Sequence, residues 1–313
     1  MSAVLQFLKA RTIVALILLL ALFLIGIELV RPGTVTPLWA SNALLFAAPL
    51  AIMGAGQTLV MLTGGIDLSV ASVATGAAYL LATNASSGDF SAIALALALG
   101  LVVGAVNGVG VALLRVQPLI MTLGTGLMTG GAMIVYSQQM LASQPHVPAI
   151  IQTLGAGKIF SLVPVDLFLW IAVGALMLYG LNRTGFGRLI FAVGDNREAC
   201  HLAGIRVWRV LFVDYLLCAL FAAIAGLVLV GGTNAADLSL ADSYLLPSVA
   251  CVIIGGTSIF GGRGGYSGTI VGALILTALT SLLTLLDVAE PLKQILYGAI
   301  ILSLAAAYAR LTE

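Results

Sequence analysis

The sequence predicts an all-α integral membrane protein with about ten transmembrane helices. Of its 313 residues, 61% are hydrophobic and only 8% are charged, and the mean hydropathy is +1.17. These values exclude a water-soluble globular domain, which could not bury so much apolar surface. Apolar segments of about 17 to 24 residues, long enough to cross a bilayer, occur at 13–30, 42–62, 67–83, 91–114, 119–136, 165–181, 210–230, 244–260, 269–286 and 292–310.

The basic residues predict the orientation of these spans. Lys and Arg prefer cytoplasmic loops, and a cytoplasmic N-terminus leaves only Arg31, Lys158 and Lys293 of the 13 Lys and Arg residues outside. Ten spans then place the C-terminus in the cytoplasm as well. Lys9 and Arg11 precede the first apolar run as in a signal peptide, but no small-x-small cleavage site follows. We therefore interpret this run as an uncleaved first span.

A glycine pair and a carboxylate interrupt the apolar runs at Gly64, Gly65, Asp67 and Ser69. Paired glycines predict a break in the helix, and Asp67 or Ser69 could cap the helix that follows. An ionised Asp beside hydrocarbon costs several kcal/mol unless it is capped, paired or hydrated. Three roles for Asp67 stay open: a hydrogen-bonding group for a substrate, a proton carrier, or a structural or gating cap, which we favour.

Two segments of the chain echo one another, which suggests inverted halves within a single transmembrane domain, 1–313. Residues 60–69 are loosely matched by 228–232 followed by Asp237-Leu238-Ser239. In the predicted topology one copy lies inside and its echo outside, as expected for inverted repeats. The halves would be 42–136 and 210–310.

The predicted cytoplasmic loop 182–209 contains a short helix. Asn196 is suited to the N-cap position, Glu198 to the first turn and Gly204 to the terminus. A helix of two turns in water needs a partner to be stable. His201 beside Cys200 does not indicate a metal site, because two adjacent ligands cannot close one.

Catalysis by this chain is not indicated. The glycine-rich run 255–269 predicts a tight or re-entrant turn, and it lacks the G-x-x-x-x-G-K-[ST] phosphate loop. If ATP drives this protein, another chain binds it. The two histidines, His146 and His201, lie in opposite aqueous loops, so no nucleophile and base are paired.

Four segments together resemble the membrane subunits of ribose-type sugar ABC importers. They are QTLVMLTGGIDLSV at 57–70, PLIMTLGT at 118–125, the loop 184–205, and GGTSIFGGRGGYSGT at 255–269. The resemblance covers nearly the whole chain. It implies a bundle of ten helices in the bacterial inner membrane, in which two identical or related permease subunits enclose a path for a neutral solute.

The resemblance also implies partners and functional residues. A periplasmic binding protein would deliver a monosaccharide or polyol, separate ABC ATPase subunits would hold ATP and Mg²⁺, and this chain would bind no cofactor. With a net charge of +1, no nucleic-acid partner is expected. Coupling to the ATPase is assigned to Asn196, Arg197, Glu198, Ala199, Cys200, His201, Leu202, Ala203 and Gly204. The translocation path or gate is assigned to Gly64, Gly65, Asp67, Ser69, Asn107 and Thr122.

Three of the departures of this chain from the family motifs leave the cargo open. Tyr244-Leu245-Leu246-Pro247 replaces a frequent Tyr-Glu-Leu-Asp, Thr129 occupies about the place of a frequent Arg, and Ser281-Leu282 replaces a frequent Asn-Gly. The alternatives are a proton-coupled secondary transporter that uses Asp67, an intramembrane enzyme, and a scaffold without transport activity. Glu28 and Asp214, the other candidate proton carriers, are expected at span ends.

Overall fold

The computed structural model describes residues 12–139, 146–235 and 237–312, and this part of the chain is almost entirely helical. The α-helices, in chain order, are α1 (Thr12–Val30), α2 (Pro37–Leu62), α3 (Val70–Asn84), α4 (Asp89–Ala112), α5 (Pro118–Gln139), α6 (Ala149–Ala156), α7 (Asp166–Arg183), α8 (Gly185–Asp195), α9 (Arg197–Leu202), α10 (Val207–Thr233), α11 (Leu245–Ile254), α12 (Tyr266–Leu285) and α13 (Glu290–Thr312). Two 3-10 helices span Ala85–Ser87 and Asp242–Tyr244, and strands β1 (Lys158–Ile159) and β2 (Val163–Pro164) form an antiparallel hairpin.

The helices establish an all-α membrane protein, while the number of spans stays a prediction. Each of the ten predicted segments overlaps one helix. Within the described residues, six helices are long and apolar enough to cross a bilayer, or seven if α7 and α8, bent by 71° at their junction, form one span. Helices α3 and α11 have only 15 and 10 residues. They are shorter than the roughly 17 residues that a perpendicular span requires.

Helix α10 is the centre of the bundle and packs against α2, α3, α4 and α6. Close approach to α4 depends on three glycines: a β-carbon added at Gly100, Gly104 or Gly108 would lie 2.8–2.9 Å from atoms of α10. The four-residue spacing of these glycines therefore serves helix packing. Helix α1 is peripheral and packs against α12. Only 11% of its apolar window is buried, compared with 83% for α2, so α1 is the helix most available to lipid.

The two longest predicted loops contain more structure than the sequence indicated. The loop 137–164 includes α6 and the β1–β2 hairpin, and α6 lies against the last turns of α10. Gly155 allows this contact, since a β-carbon there would overlap the carbonyl of Val228 and the backbone of Gly231. The loop 182–209 holds α8 and α9, which pack on each other and on α10. Both connections are therefore part of the bundle.

The two segments that echo each other in sequence contain the same turn. The amide and the hydroxyl of Ser69 both donate to Asp67 Oδ1, at 2.8 and 2.6 Å. The amide and the hydroxyl of Ser239 likewise donate to Asp237 Oδ1, each at 2.8 Å. These bonds lower the pKa of the Asp237 carboxyl. Each turn follows a long helix, α2 in one case and α10 in the other.

Candidate functional site

The helix break predicted at the glycine pair is confirmed. Helix α2 ends at Leu62, and Gly64 has φ = 75°, a left-handed conformation that favours glycine. The amides of Gly64 and Gly65 donate back to the carbonyls of Met61 and Val60, both at 2.9 Å. These bonds satisfy carbonyls that the helix end would otherwise leave unpaired. The chain then runs non-helically to Ser69 before α3 begins.

Two neighbouring helices hold the non-helical segment. The Gln57 side chain of α2 donates to the carbonyl of Asp67 at 2.6 Å and accepts from the amide of Asp67 at 3.2 Å. On α5, the hydroxyl of Thr122 accepts from the amide of Leu68 at 3.0 Å, and its proton is shared between the carbonyls of Pro118 at 2.9 Å and Ile66 at 3.2 Å. Side chains thus replace the backbone partners that the missing helical turns would have supplied.

Buried polar side chains continue from this segment into the bundle. Asn107 of α4 donates to Ser69 Oγ at 2.9 Å, and the hydroxyl of Thr125 on α5 donates to Asn107 Oδ1 at 2.6 Å. Asp67, Ser69 and Asn107 are fully buried, and Thr125 is 6% exposed. Connected polar groups of this kind fix the relative positions of the helices that carry them.

The predicted capping of α3 by Asp67 or Ser69 is not found in the described residues, where neither side chain accepts a bond from an amide within the helix. Ser69 occupies the N-cap position of α3, but its side chain accepts no capping bond from the described residues. Asp67 binds the amide of Ser69 instead, because a side chain two residues upstream reaches that amide in a turn. The other carboxylate oxygen, Asp67 Oδ2, is buried and has no hydrogen-bond partner among the described residues.

Helix α10 contributes two further polar side chains near the break, Asp214 and Tyr215. The position of Asp214 differs from the predicted one. Asp214 does not lie at a span end but within α10, where it is fully buried. Neither of its carboxylate oxygens, nor the hydroxyl of the adjacent Tyr215, has a partner in the part of the chain that the structure describes. Tyr215 lies against the break, since a β-carbon added at Gly65 would overlap its hydroxyl. Glu28, by contrast, lies near the end of α1, as expected, and accepts from the amides of Gly33 and Val35.

The short helix predicted in the loop 182–209 is confirmed as α9. Asn196 caps it through a bond from the amide of Ala199 to Asn196 Oδ1, at 2.9 Å. Glu198 is in its first turn, and Gly204, with φ = 79°, follows its end. The helix has six residues, fewer than the two turns expected from 196–204.

Arg197 connects this short helix to the break. It is the first residue of α9, and its guanidinium donates to the carbonyl of Thr63, the C-cap residue that follows α2. That carbonyl has lost its helical partner because the chain breaks at Gly64. A surface helix and a buried discontinuity, 134 residues apart in sequence, are therefore joined by one charge-assisted hydrogen bond.

The glycine-rich run 255–269 also reaches this place. The amide of Gly262 donates to the carbonyl of Leu62 at 2.9 Å. A β-carbon added at Gly261 would lie 2.9 Å from the carbonyl of Gly194 and 3.0 Å from the amide of Gly64. Together with Thr122 of the segment 118–125, all four sequence motifs meet around the end of α2.

The structure brings together six of the predicted residues and separates the rest. Gly64, Gly65, Asp67, Ser69, Asn107 and Thr122 lie at the break, as a group. Of the loop residues, Arg197 reaches the break and Cys200 is buried. The remainder form an exposed surface: Asn196, Glu198, Ala199, His201, Leu202, Ala203 and Gly204. Leu202 is 83% exposed, which is unusual for an apolar side chain in a short surface helix.

A cavity of about 940 Å³ adjoins this exposed surface. It lies between the α4–α5 connection, α9 and the start of α10, and its charged and polar lining includes Arg115, Gln117, Arg197, Glu198, His201 and Arg206. No group of three or more possible metal ligands occurs in the described residues.

Sequence reasoning missed Gln57, Thr125 and the buried position of Asp214. A signal for the polar face of α5 was available, since Thr122, Thr125 and Thr129 recur at helical spacing. All three are buried. The role of Gln57 had no comparable signal, because a single amide in an apolar helix does not indicate its partner.

The fold and the site define a multi-pass membrane protein with a discontinuous helix tied to a surface loop, as transport proteins have. The family model described as "Branched-chain amino acid transport system / permease component" matches residues 39–305. The chain belongs to this family of permease components.

Several characterised relatives are similar over most of the chain. The ribose import permease of Escherichia coli K12 is 35% identical over 298 residues, covering 94% of this chain and 91% of the relative. The fructose import permease of Rhizobium meliloti is 32% identical over 272 residues, covering 82% and 73%. The galactofuranose transporter permease of Escherichia coli K12 is 34% identical over 269 residues, covering 82% and 75%. No solved structure matches the chain.

Proposed function

We propose that this chain is the membrane-spanning permease subunit of an ATP-driven ABC importer, and that it moves a neutral monosaccharide or polyol into the bacterial cytoplasm. It would work as a pair with a second copy or a related permease, in the inner membrane. A periplasmic binding protein would deliver the solute, and ABC ATPase subunits would bind ATP and Mg²⁺. The observation that carries the proposal is the bond from Arg197 on the exposed helix α9 to Thr63 at the buried break.

A sugar cargo is supported by the relatives more than by the family description. The family is named for branched-chain amino acid transport, whereas the relatives cited above are named for ribose, fructose and galactofuranose. An amino acid is zwitterionic and would call for charged partners along its path. Asp67 and Arg197 at the break already bond to Ser69 and Thr63, and the other groups that contact one another there are amides and hydroxyls, which suit a neutral polar solute.

The contacts suggest how ATP could act on the break. In this proposal the ATPase binds the exposed side of α9, where Glu198, Ala199, His201 and Leu202 are available. A displacement of α9 would pull on the carbonyl of Thr63 through Arg197 and shift the segment 64–69. Asn107 and Thr122, which bond to this segment, would follow. ATP would act by binding more tightly to one of two conformations of the complex and so favouring that conformation.

The chain would contain two inverted halves, 42–136 and 210–310, within one permease domain. The matching Asp-x-Ser turns at Asp67 and Asp237 support this proposal, since each follows a long helix of its own half. Ten spans with both termini in the cytoplasm would put the first turn near the inner face and the second near the outer face.

The first experiment is co-purification and uptake with the complete transporter. We expect an ABC ATPase subunit to remain bound to the tagged chain, as identified by mass spectrometry. Proteoliposomes with ATP and the binding protein should accumulate D-ribose, D-fructose or D-galactose without a proton gradient. Uptake that persists without ATP, needs a proton gradient and fails in the Asp67→Asn variant would favour the alternative, a proton-coupled carrier.

A second prediction concerns the exposed side of α9. The variant Ala199→Trp adds bulk where the ATPase would bind, and packed interfaces reject extra volume at a cost of about 1–3 kcal/mol. We therefore expect uptake to fall at least about tenfold, with less ATPase co-purified and unchanged membrane content of the chain. Ser86→Trp, at an exposed position of the Ala85–Ser87 helix, is the control and should transport normally. Normal uptake by Ala199→Trp would contradict the docking surface.

A further inference from the structure

A second cavity lies apart from the break, between α2, α11, α12 and α13. Its volume is about 630 Å³, and its lining includes Trp39, Phe46, Tyr244, Thr277, Ser281 and Tyr297. Small-molecule sites usually have volumes of about 300–1,000 Å³, with apolar and aromatic walls and a few polar groups. The cavity has this size and composition.

The polar groups of the lining are hydroxyls held in place by aromatic side chains. The indole of Trp39 donates to Ser281 Oγ at 3.0 Å, and the hydroxyls of Thr280 and Tyr297 share a hydrogen bond of 2.6 Å. The hydroxyls of Thr277 and Thr280 already donate to the carbonyls of Ala273 and Leu276, at 2.9 and 2.8 Å, so their oxygens can only accept from a ligand. Ser281 Oγ accepts from Trp39 and still has its proton to donate. The wall therefore offers several acceptors and, at Ser281, a donor to the hydroxyl groups of a solute.

The lining is nearly uncharged. Glu290 is the one charged residue among the described lining residues, and it lies 3.3 Å from the amino group of Lys293 in an ion pair. Lys293 also donates to Thr284 Oγ1 at 3.0 Å. A phosphorylated or zwitterionic ligand would find little to neutralise its charge here, whereas a neutral ligand would not have to lose ionic hydration. Aromatic rings supply flat apolar surface for the C–H faces of a sugar ring.

The position of the cavity relates it to the break. The lining includes Thr34, Ser243 and Glu290, which belong to three connections that the charge pattern predicts outside. At its inner end Leu50 of α2 contributes to the wall. Gln57, which holds Asp67, is seven residues further along the same helix, about 10 Å at 1.5 Å per residue. One helix, α2, thus contacts both the cavity and the break.

We infer that this cavity is a binding subsite for a neutral monosaccharide or polyol on the entry side of the permease, and that Trp39, Thr277 and Ser281 help to select the cargo. The inference rests on the proposed function, since it names a site for the same solute. It adds a place of recognition within the permease, separate from the break.

Cysteine protection in the complete transporter tests the subsite. The native cysteines, Cys200, Cys218 and Cys251, are buried, so a thiol introduced into the cavity can be followed. Ser281→Cys and Thr277→Cys are each labelled with methyl methanethiosulfonate in proteoliposomes, with and without the sugar that the wild-type transporter takes up among D-ribose, D-fructose and D-galactose. We expect the sugar to slow labelling at least about threefold and L-leucine to leave the rate unchanged. Ser86→Cys, exposed and away from the cavity, is the control and should label at one rate throughout.

The outcomes separate the two proposals. If the wild-type complex transports a sugar but neither cavity cysteine is protected by it, the subsite is wrong and the importer stands. Equal protection by L-leucine would overturn the selectivity for neutral polyhydroxyl ligands. If the wild-type complex transports none of the three sugars and no other neutral monosaccharide or polyol in a wider panel, the proposed cargo is wrong, and the subsite falls with it.

Discussion

The variant Arg197→Met is expected to lose coupled uptake while the chain remains folded in the membrane. Methionine replaces the aliphatic part of the arginine side chain but has no guanidinium to donate to the carbonyl of Thr63. A buried acceptor left without its donor costs about 1–3 kcal/mol, and the connection between α9 and the break is lost. Sugar uptake in proteoliposomes should fall at least about tenfold, whereas ATP hydrolysis by the complex should continue or rise.

The matched control is Arg188→Met. Arg188 is exposed on α8, in the same predicted cytoplasmic loop, and its replacement removes the same charge without touching Thr63. Its uptake should remain close to that of the wild type. If both variants transport normally, the bond from Arg197 has no part in coupling. If both fail equally, the effect belongs to loop charge and not to this contact.

The variant Gly194→Ala is expected to separate the end of α2 from α8 and the glycine-rich run. A β-carbon at Gly194 would overlap the carbonyl oxygen of Leu62 and lie 2.6 Å from the amide of Gly262. Both are backbone atoms, so no side-chain rotation relieves the overlap. Overpacking of this kind costs about 1–3 kcal/mol, and we expect the melting temperature of the purified chain to fall by about 3–10 °C.

Gly180→Ala controls for the loss of a glycine. Within the described residues, a β-carbon there has no atom within 4 Å, and in the interior of α7 alanine favours the helix by about 0.5–1 kcal/mol over glycine. Its melting temperature should stay the same or rise slightly in detergent. If the Gly194→Ala and Gly180→Ala proteins have the same melting temperature, the end of α2, helix α8 and the glycine-rich run do not need this close contact.

The sequence predicts the membrane class and the helix positions well, because both depend on local composition. Apolar segments of bilayer length identify the helices directly. The short length of α11 was harder to foresee, since its apolar run continues beyond the helix into a turn. For 244–260, hydropathy does not register that Gly255 and Gly256 end the helix.

The parts of the site that depend on local backbone conformation could be predicted from the sequence. The break at Gly64 and the cap at Asn196 follow from residue types with strong conformational preferences. Tertiary partners have no such local signature. Nothing near Arg197 in sequence indicates Thr63, and Asp214 was placed at a span end because α10 begins earlier, at Val207, than the apolar run suggested.

The fold brings together two of the segments in which the chain departs from the family motifs. Tyr244, Pro247 and Ser281 all line the cavity between α2 and α12, whereas Thr129 lies elsewhere, on α5. Sequence alone could not group them, because 34 residues separate Pro247 from Ser281.

The two hydrogen bonds between the Gln57 side chain and the Asp67 backbone affect how the helix break can move. Hinges are segments whose backbone angles change freely, yet the backbone of residues 66–68 is held by four hydrogen bonds from Gln57 and Thr122. This discontinuity is therefore stiff. In a transport cycle it would move as one unit with α2 and α5. The bending that alternating access requires would have to occur at connections without such braces, where the backbone is free to rotate.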